Sequence, residues 1–275
     1  MKKDVICLKF PLKGKYVVML APSFVVDFDY PSIIWQFKKL GFDKVVEVTF
    51  GAKMINRDYQ KILKNSKKLW IATVCPGITE TIKQKFPKYV KNLIPVDSPM
   101  IAMGKICRKT FPKHKIVFIS PCYFKKIEAV NSKYVDYVID YKELKELFLK
   151  YKIKKNNKKI YFDKFYNDYT KIYPTSGGLT RTAHFEGIIK PEEVLIADGI
   201  KKVIKFLKKP NKKIRFLDTT FCIGSCIGGP CVSSNLTIDQ RKKKVIKYLE
   251  KSKQEDIPEP RKGLIKKAKG IKFSN

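Results

Sequence analysis

The stretch "KIRFLDTTFCIGSCIGGPC", residues 213–231, decides the fold. Its first half is rich in aromatic, aliphatic and β-branched residues and reads as a strand. Its second half crowds three cysteines and three glycines into eleven residues. Two other cysteines repeat the placement: Cys75 ends "LWIATVC" and Cys122 ends "IVFISPC". Cys75, Cys122 and Cys222 therefore each lie just past the carboxyl end of an expected strand. Open α/β sheets bind ligands in the crevice beyond those ends, so three separate segments can each deliver a thiol to one place.

Working outward, the rest of the chain alternates between the two periodicities. Strands are expected in residues 15–23, 44–50, 68–76, 115–122, 135–140 and 213–222, with helices in 30–42, 55–65, 97–111, 141–151 and 239–253. Residues 77–93 read as helical in part, and 192–209 as a helix with room for a short strand before it. Ser98 followed by Pro99 is a helix start, with the hydroxyl at the N-cap and the proline at the first helical position. The alternation predicts an α/β architecture with mostly parallel sheets. The lysine- and asparagine-rich residues 152–159 are expected as a surface loop, and 256–275 as a weakly structured basic tail.

Composition excludes several classes. The chain has 275 residues, 44% hydrophobic and 12% aromatic, enough to bury a full core without covalent staples. Seven cysteines are too few, and odd in number, for a disulfide-built secreted domain. Lysines interrupt every apolar run near the start, so neither a signal peptide nor a membrane span is expected, and a reducing cytoplasm is. In that compartment, cysteine clusters bind metal or do chemistry. The net charge of +34 has three readings: solvent faces that default to lysine, steering of an acidic protein partner, or nucleic-acid binding. No aromatic-interleaved basic motif supports the third.

Cys226 joins Cys222 on the same loop and brings the count to four, the number of thiolates that holds a 4Fe–4S cluster. Gly224, Gly228 and Gly229 allow close backbone approach to a bulky inorganic group, and their N–H groups can point at anionic ligands. Zinc stays open, although the first two ligands lack the usual close pairing. A lone cysteine is usually a small buried hydrophobe, the reading for Cys7 and Cys107. His114 and His184 make no metal-ligand spacing; His114 is expected at the surface.

"TVCPGITETIKQKFPKYVKNLIPVDSPMIAMGK", "IVFISPCYFKKIEA", "VDYVIDYKELKELF", "YPTSGGLTRTA" and "LDTTFCIGSCIGGP" follow one another in the chain. In that order they resemble the H-cluster domain of iron-only (FeFe) hydrogenases, over roughly residues 15–232. The chain is similar to divergent, short forms of that family. The resemblance implies two lobes of mostly parallel sheet flanked by helices, with the metal site in the cleft between them. Residues 1–235 would form this domain as two interleaved lobes. The first would draw on the N-terminal strands and the segment near 195–222, the second on the strands around 115–140. Residues 236–275 would add a basic helix and tail.

The resemblance also implies roles. Cys75, Cys122 and Cys222 match ligands of the 4Fe–4S part, and Cys226 the ligand that also bridges to a diiron subcluster carrying CO, CN and a bridging dithiolate amine. Lys125 matches a lysine that hydrogen-bonds a cyanide of that subcluster; the plainer account is one more surface lysine. Ser98 matches a helix start near the cluster. The implied activity is reversible reduction of protons to dihydrogen, with an acidic ferredoxin as external electron carrier and H-cluster maturation proteins as assembly partners; no membrane or nucleic-acid partner is implied.

Departures are equally specific. Val74 stands where high-turnover members carry a proton-passing thiol, and Tyr59, Ile62 and Ile94 stand near the positions of the remaining relay groups. Ser120 and Thr220 replace methionines, and no N-terminal ferredoxin-like motif is present. Cys231 is an extra thiol; it or Cys107 could serve another proton route, the plainer account being a buried or incidental thiol. A low-turnover hydrogen sensor, or a 4Fe–4S protein in iron–sulfur cluster transfer, are therefore the alternatives.

Overall fold

The computed structural model describes residues 8–274 except 157, 159 and 168. Cys7, and two residues of the 152–159 segment, lie outside that set. The fold is α/β with two parallel sheets flanked by helices. The first sheet contains β1 (Tyr16–Leu20), β2 (Lys44–Glu47), β4 (Lys115–Ser120) and β5 (Tyr137–Asp140), in the order β2-β1-β4-β5. The second contains β3 (Trp70–Ile71), β6 (Val194–Asp198) and β7 (Phe216–Thr220), in the order β3-β7-β6.

Burial explains the first sheet. In "YVVML" and "KIVFIS" nearly every side chain is buried, whichever face it points to. Such runs belong at the centre of a sheet covered on both sides. Val17 and Met19 enter one core with Ile116 and Phe118, while Val18 and Leu20 enter the other with Val117 and Ile119.

This pairing corrects the expected division of strands between lobes. β1 has β2 on one edge and β4 on the other, with Val17 opposite both Lys44 and Ile116. No edge of β1 is left for the segment near 195–222. That segment instead supplies β6 and β7 of the second sheet, β7 at its centre and β6 at its edge, where Ile196 is solvent-exposed. Residues 192–209 also resolve into two elements. β6 ends at Asp198, Gly199 takes φ +90°, and α8 (Ile200–Lys208) follows with Val203, Phe206 and Leu207 inward and its lysines outward. The strand expected over 44–50 likewise stops at Glu47, because α2 (Thr49–Lys64) begins there.

The remaining helices are α1 (Ser32–Lys39), α3 (Pro76–Lys85), α4 (Pro99–Thr110), α5 (Phe124–Val130), α6 (Tyr141–Lys150), α7 (Gly178–Thr182) and α9 (Ile238–Lys253). Their starts carry the expected chemistry. Ser98 Oγ accepts from the Ile101 N–H at 3.4 Å, and Asp140 with Glu143 closes a capping box on α6. The basic tail has little regular structure but is not loose. The Asp97 N–H bonds the Phe273 carbonyl at 2.8 Å, the Gly263 N–H bonds the Tyr166 carbonyl at 2.6 Å, and Ala268 and Phe273 are buried. Backbone pairing and three apolar anchors, Ile257 being the third, hold a segment whose composition is otherwise solvent-seeking.

One buried ion pair ties α9 and the 169–172 turn to β2. Lys171 Nζ lies 2.6 Å from Glu47 Oε2, with both side chains removed from solvent. Lys171 also donates to Tyr248 Oη at 2.8 Å, and Tyr248 donates to Glu47 Oε1 at 2.8 Å. The rings of Tyr248 and Tyr166 face the ammonium at 4.2 and 4.8 Å. Removing one partner of such a pair strands the other charge. Lys171→Met is expected to lose about 3–5 kcal/mol in urea unfolding, with part of the loss recovered when Glu47→Gln is added.

Candidate active site

Each cysteine singled out from the sequence sits where a strand gives way to the next element. Cys75 is the N-cap of α3, with Pro76 at its first position. Cys122 lies between β4 and α5, its N–H bonded to Ser120 Oγ at 3.0 Å. Cys222 follows β7, and Cys226 lies in the 3₁₀ turn Ser225–Gly228. All four thiols are free and half-buried.

They meet. Cys226 feels the charges of Cys75, Cys122 and Cys222, and Cys222 those of Cys122 and Cys75. Burial pushes the Cys222 thiol up to about 12, and the neighbouring thiols add to it. Burial also raises Cys226 and Cys122, with the Lys125 ammonium pulling the other way. Four thiols gathered in a desolvated place resist ionisation until a cation compensates them. Among the described residues, no three His, Cys, Asp or Glu side chains form a group fitted to a single metal ion.

Cys75, Cys122 and Cys226 line one cavity of about 100 Å³, with Val74, Lys125 and Asp218 also in its wall. Residues just past β1 and β4 of one sheet, the carboxyl end of β6, and the end of β7 with the loop after it close around it. The lining is mostly apolar, which excludes water and strengthens any electrostatic contact inside. Lys125 Nζ is held 2.7 Å from Glu128 Oε2 and donates to the Val74 carbonyl at 3.4 Å. The residue that lacks a proton-carrying side chain thus contributes its carbonyl to Lys125. Glu128 had no signal in the sequence beyond its i,i+3 spacing from Lys125. Tyr173 Oη, also from a lining residue, is buried without a partner among the described residues.

The glycines work by absence of a side chain more than by offering donors. Gly224 (φ +75°) gives its N–H to Asp198 Oδ2 at 2.8 Å, and the Gly229 N–H goes to the Cys226 carbonyl at 3.1 Å. Those two N–H groups do not point at a ligand, contrary to the nest expected from sequence. A Cβ on Gly228 would stand 1.9 Å from the Ile223 carbonyl oxygen, and one on Gly229 2.5 Å from that of Pro121. The loop after β7 therefore lies directly on the loop after β4, and the Cys231 N–H to Pro121 carbonyl bond of 3.1 Å locks the contact.

Other expected residues fall outside the cavity wall. Ser98 is a helix cap, while Pro99 and Met100 beside it do line the cavity. Cys107 is fully buried in the core. Cys231 is buried and takes a hydrogen bond from Tyr123, a half-exposed phenol. His184 is exposed and stacks on Tyr169, and His114, expected at the surface, is largely covered by its 2.6 Å contact with Asp43. Tyr59 and Ile94, at two relay positions, are buried, and Tyr59 Oη bonds Thr73 Oγ1 at 3.1 Å.

Residues 14–230 match the family model described as iron only hydrogenase large subunit, C-terminal domain. Iron hydrogenase 1 of Clostridium pasteurianum is 24% identical, over 70% of this chain and 43% of that protein, so the chain spans less than half the length of this curated relative. Among solved structures, an FeFe-hydrogenase described for stepwise H-cluster assembly superposes with a TM-score of 0.64 at 17% identity, covering 86% of this chain and 84% of that one. A variant of the FeFe-hydrogenase from Chlamydomonas reinhardtii gives 0.63 at 15% identity, covering 92% and 86%. At these identities the structural likeness concerns the fold.

The steric role of the loop is open to test. Gly228→Ala is expected to cost about 3 kcal/mol in chemical denaturation, because backbone atoms cannot yield as a side-chain tip can. Gly187→Ala is the contrast: open space surrounds it, but it carries a left-handed backbone (φ +73°) that Gly228 does not have, and it should cost about 1–2 kcal/mol.

Proposed function

The chain belongs to the family of the iron-only hydrogenase large subunit, C-terminal domain, and from that premise we propose that it is a hydrogenase that reversibly reduces protons to dihydrogen. The observation that carries the reading is the convergence of Cys75, Cys122 and Cys226, from three separate segments, on a largely apolar cavity with Lys125 in its wall, with Cys222 close beside Cys226. The residues fit an H-cluster. The four soft thiols suit iron–sulfur ligation, and the ammonium and an unpartnered phenol beside them are donors suited to an acceptor-bearing group. When bound, the H-cluster supplies the chemistry by which two protons and two electrons become dihydrogen.

The chain's own residues do the rest. Cys75, Cys122, Cys222 and Cys226 would hold the iron–sulfur part of the group. Lys125 offers a compact cationic donor to a bound anion, fixed in place by Glu128. The apolar wall keeps water from the reacting atoms. Electrons come from an acidic ferredoxin-type carrier, which a surface of net charge +34 attracts over about 8–10 Å at physiological salt. Dedicated maturation proteins assemble the group, and the working compartment is the cytoplasm. No helix among the described residues is long and apolar enough to cross a membrane.

A second reading, a hydrogen sensor of low turnover, draws on one observation: Val74 lines the cavity and carries no proton. Infrared spectroscopy of protein matured with the diiron precursor, beside a hydrogen-evolution assay, separates the readings. Sharp carbonyl and cyanide bands with hydrogen evolution are expected. Bands without turnover would favour the sensor. A reconstituted 4Fe–4S signal with no bands would instead indicate an iron–sulfur transfer protein. Electron transfer from an acidic ferredoxin should slow as salt is raised; a salt-independent rate would remove that partner.

A further inference from the structure

We propose that Asp218 is the proton-holding group of the cavity, the side chain from which protons enter it in a chain with no thiol at position 74; this rests on the hydrogenase reading above. Asp218 is the third residue of β7, opposite Ile196 of β6 in the parallel register. It is buried and lines the cavity. Its Oδ2 accepts two hydrogen bonds from Thr180, from the N–H at 3.0 Å and from Oγ1 at 2.7 Å. Its Oδ1 has no partner among the described residues. One oxygen is anchored, and the other is left to the cavity.

The ammonium, the other carboxylate and the thiols of the lining are committed. Lys125 is paired with Glu128. Asp198 is paired with Lys202 at 2.7 Å and with the Gly224 N–H. The thiols are the proposed iron ligands. Among the described lining residues, Asp218 is the one carboxyl free on one side; the unpartnered Tyr173 phenol is raised well above its ordinary value by burial and keeps its proton.

Three charged or titratable groups face it: Tyr59 from α2, Tyr173 from the turn before α7, and Arg181 from α7. Burial lifts both phenols well above their ordinary values, so they stay neutral and act as donors. Burial also raises the Asp218 carboxyl above the usual carboxylate range, against the opposing Thr180 hydrogen bonds and Arg181 charge. Those opposing interactions matter for function. When a proton leaves Oδ1 for the cavity, two Thr180 donors remain on Oδ2 to hold the carboxylate. A proton from solvent then restores the acid. No electron moves at Asp218, so the step needs no oxidant or reductant.

The test has one arm without the cluster and one with it. In the full-length metal-free protein, a protonated-carboxyl infrared stretch should persist to higher pH than for an ordinary carboxyl. Asp218→Asn should abolish it, and Thr180→Val should move it to still higher pH, because a donor to the charged form is lost. In matured protein, Asp218→Asn should retain the carbonyl and cyanide bands while hydrogen evolution falls by about 10²-fold. Full turnover with intact bands would overturn the proposal while leaving the hydrogenase reading in place. A stretch unaltered in Asp218→Asn would overturn it equally. Absence of diiron bands in the unsubstituted protein would sink the reading, and the proposal with it. Should Asp218→Asn fail to fold, Thr180→Val decides: an unmoved carboxyl titration rejects the assignment.

Discussion

The loop after β7 touches the loop after β4 through bare backbone. At Gly229 a Cβ would lie 2.5 Å from the Pro121 carbonyl oxygen, and at Gly228 another would lie 1.9 Å from that of Ile223. Because those positions have no side chain, the Cys231 N–H reaches the Pro121 carbonyl, and Cys222 and Cys226 come to the same place as Cys122. β4 and β7 belong to different sheets. The contact therefore couples the two lobes as well as assembling the thiols. Arg241 of α9 reinforces it from outside, donating to the Ile227 carbonyl at 2.8 Å, and the Ile227 N–H bonds the Pro174 carbonyl at 3.3 Å.

Burial gives this arrangement its chemical character. Thiols pushed up by desolvation and by one another gain most from a cation that replaces their protons. Lys125 is the one cation in the cavity wall, and its pairing with Glu128 limits how much positive charge it lends the thiols. Much of the remaining positive charge lies on solvent faces such as the outer side of α8, and the buried Lys171 is neutralised by Glu47. A protein with a net charge of +34 thus keeps a nearly neutral interior, and its charge acts at the surface, on partners.

Much of this was legible in the chain. Strand-end cysteines need only local patterning: apolar runs predict strands, and each thiol follows one. The Ser98 cap is likewise local and readable. The division of strands between sheets was not, because β1 is apolar on both faces and periodicity cannot say which neighbours occupy its two edges. The weak regular structure of the basic tail follows its composition, but its hold on the fold comes from backbone hydrogen bonds and a few apolar anchors, which composition averages away. Glu128 and Asp218 were hidden because their significance depends on what stands opposite them.

The sequence by itself determined most element types and the four strand-end thiols, since each depends on residue identity at short spacing. The tertiary structure alone decided which strands are neighbours, that Gly224 and Gly229 use their N–H groups on Asp198 and the Cys226 carbonyl, and that one carboxylate oxygen of Asp218 is left free at the cavity. Those facts join residues far apart in the chain. Only packing, which sets distance and desolvation together, can assign them.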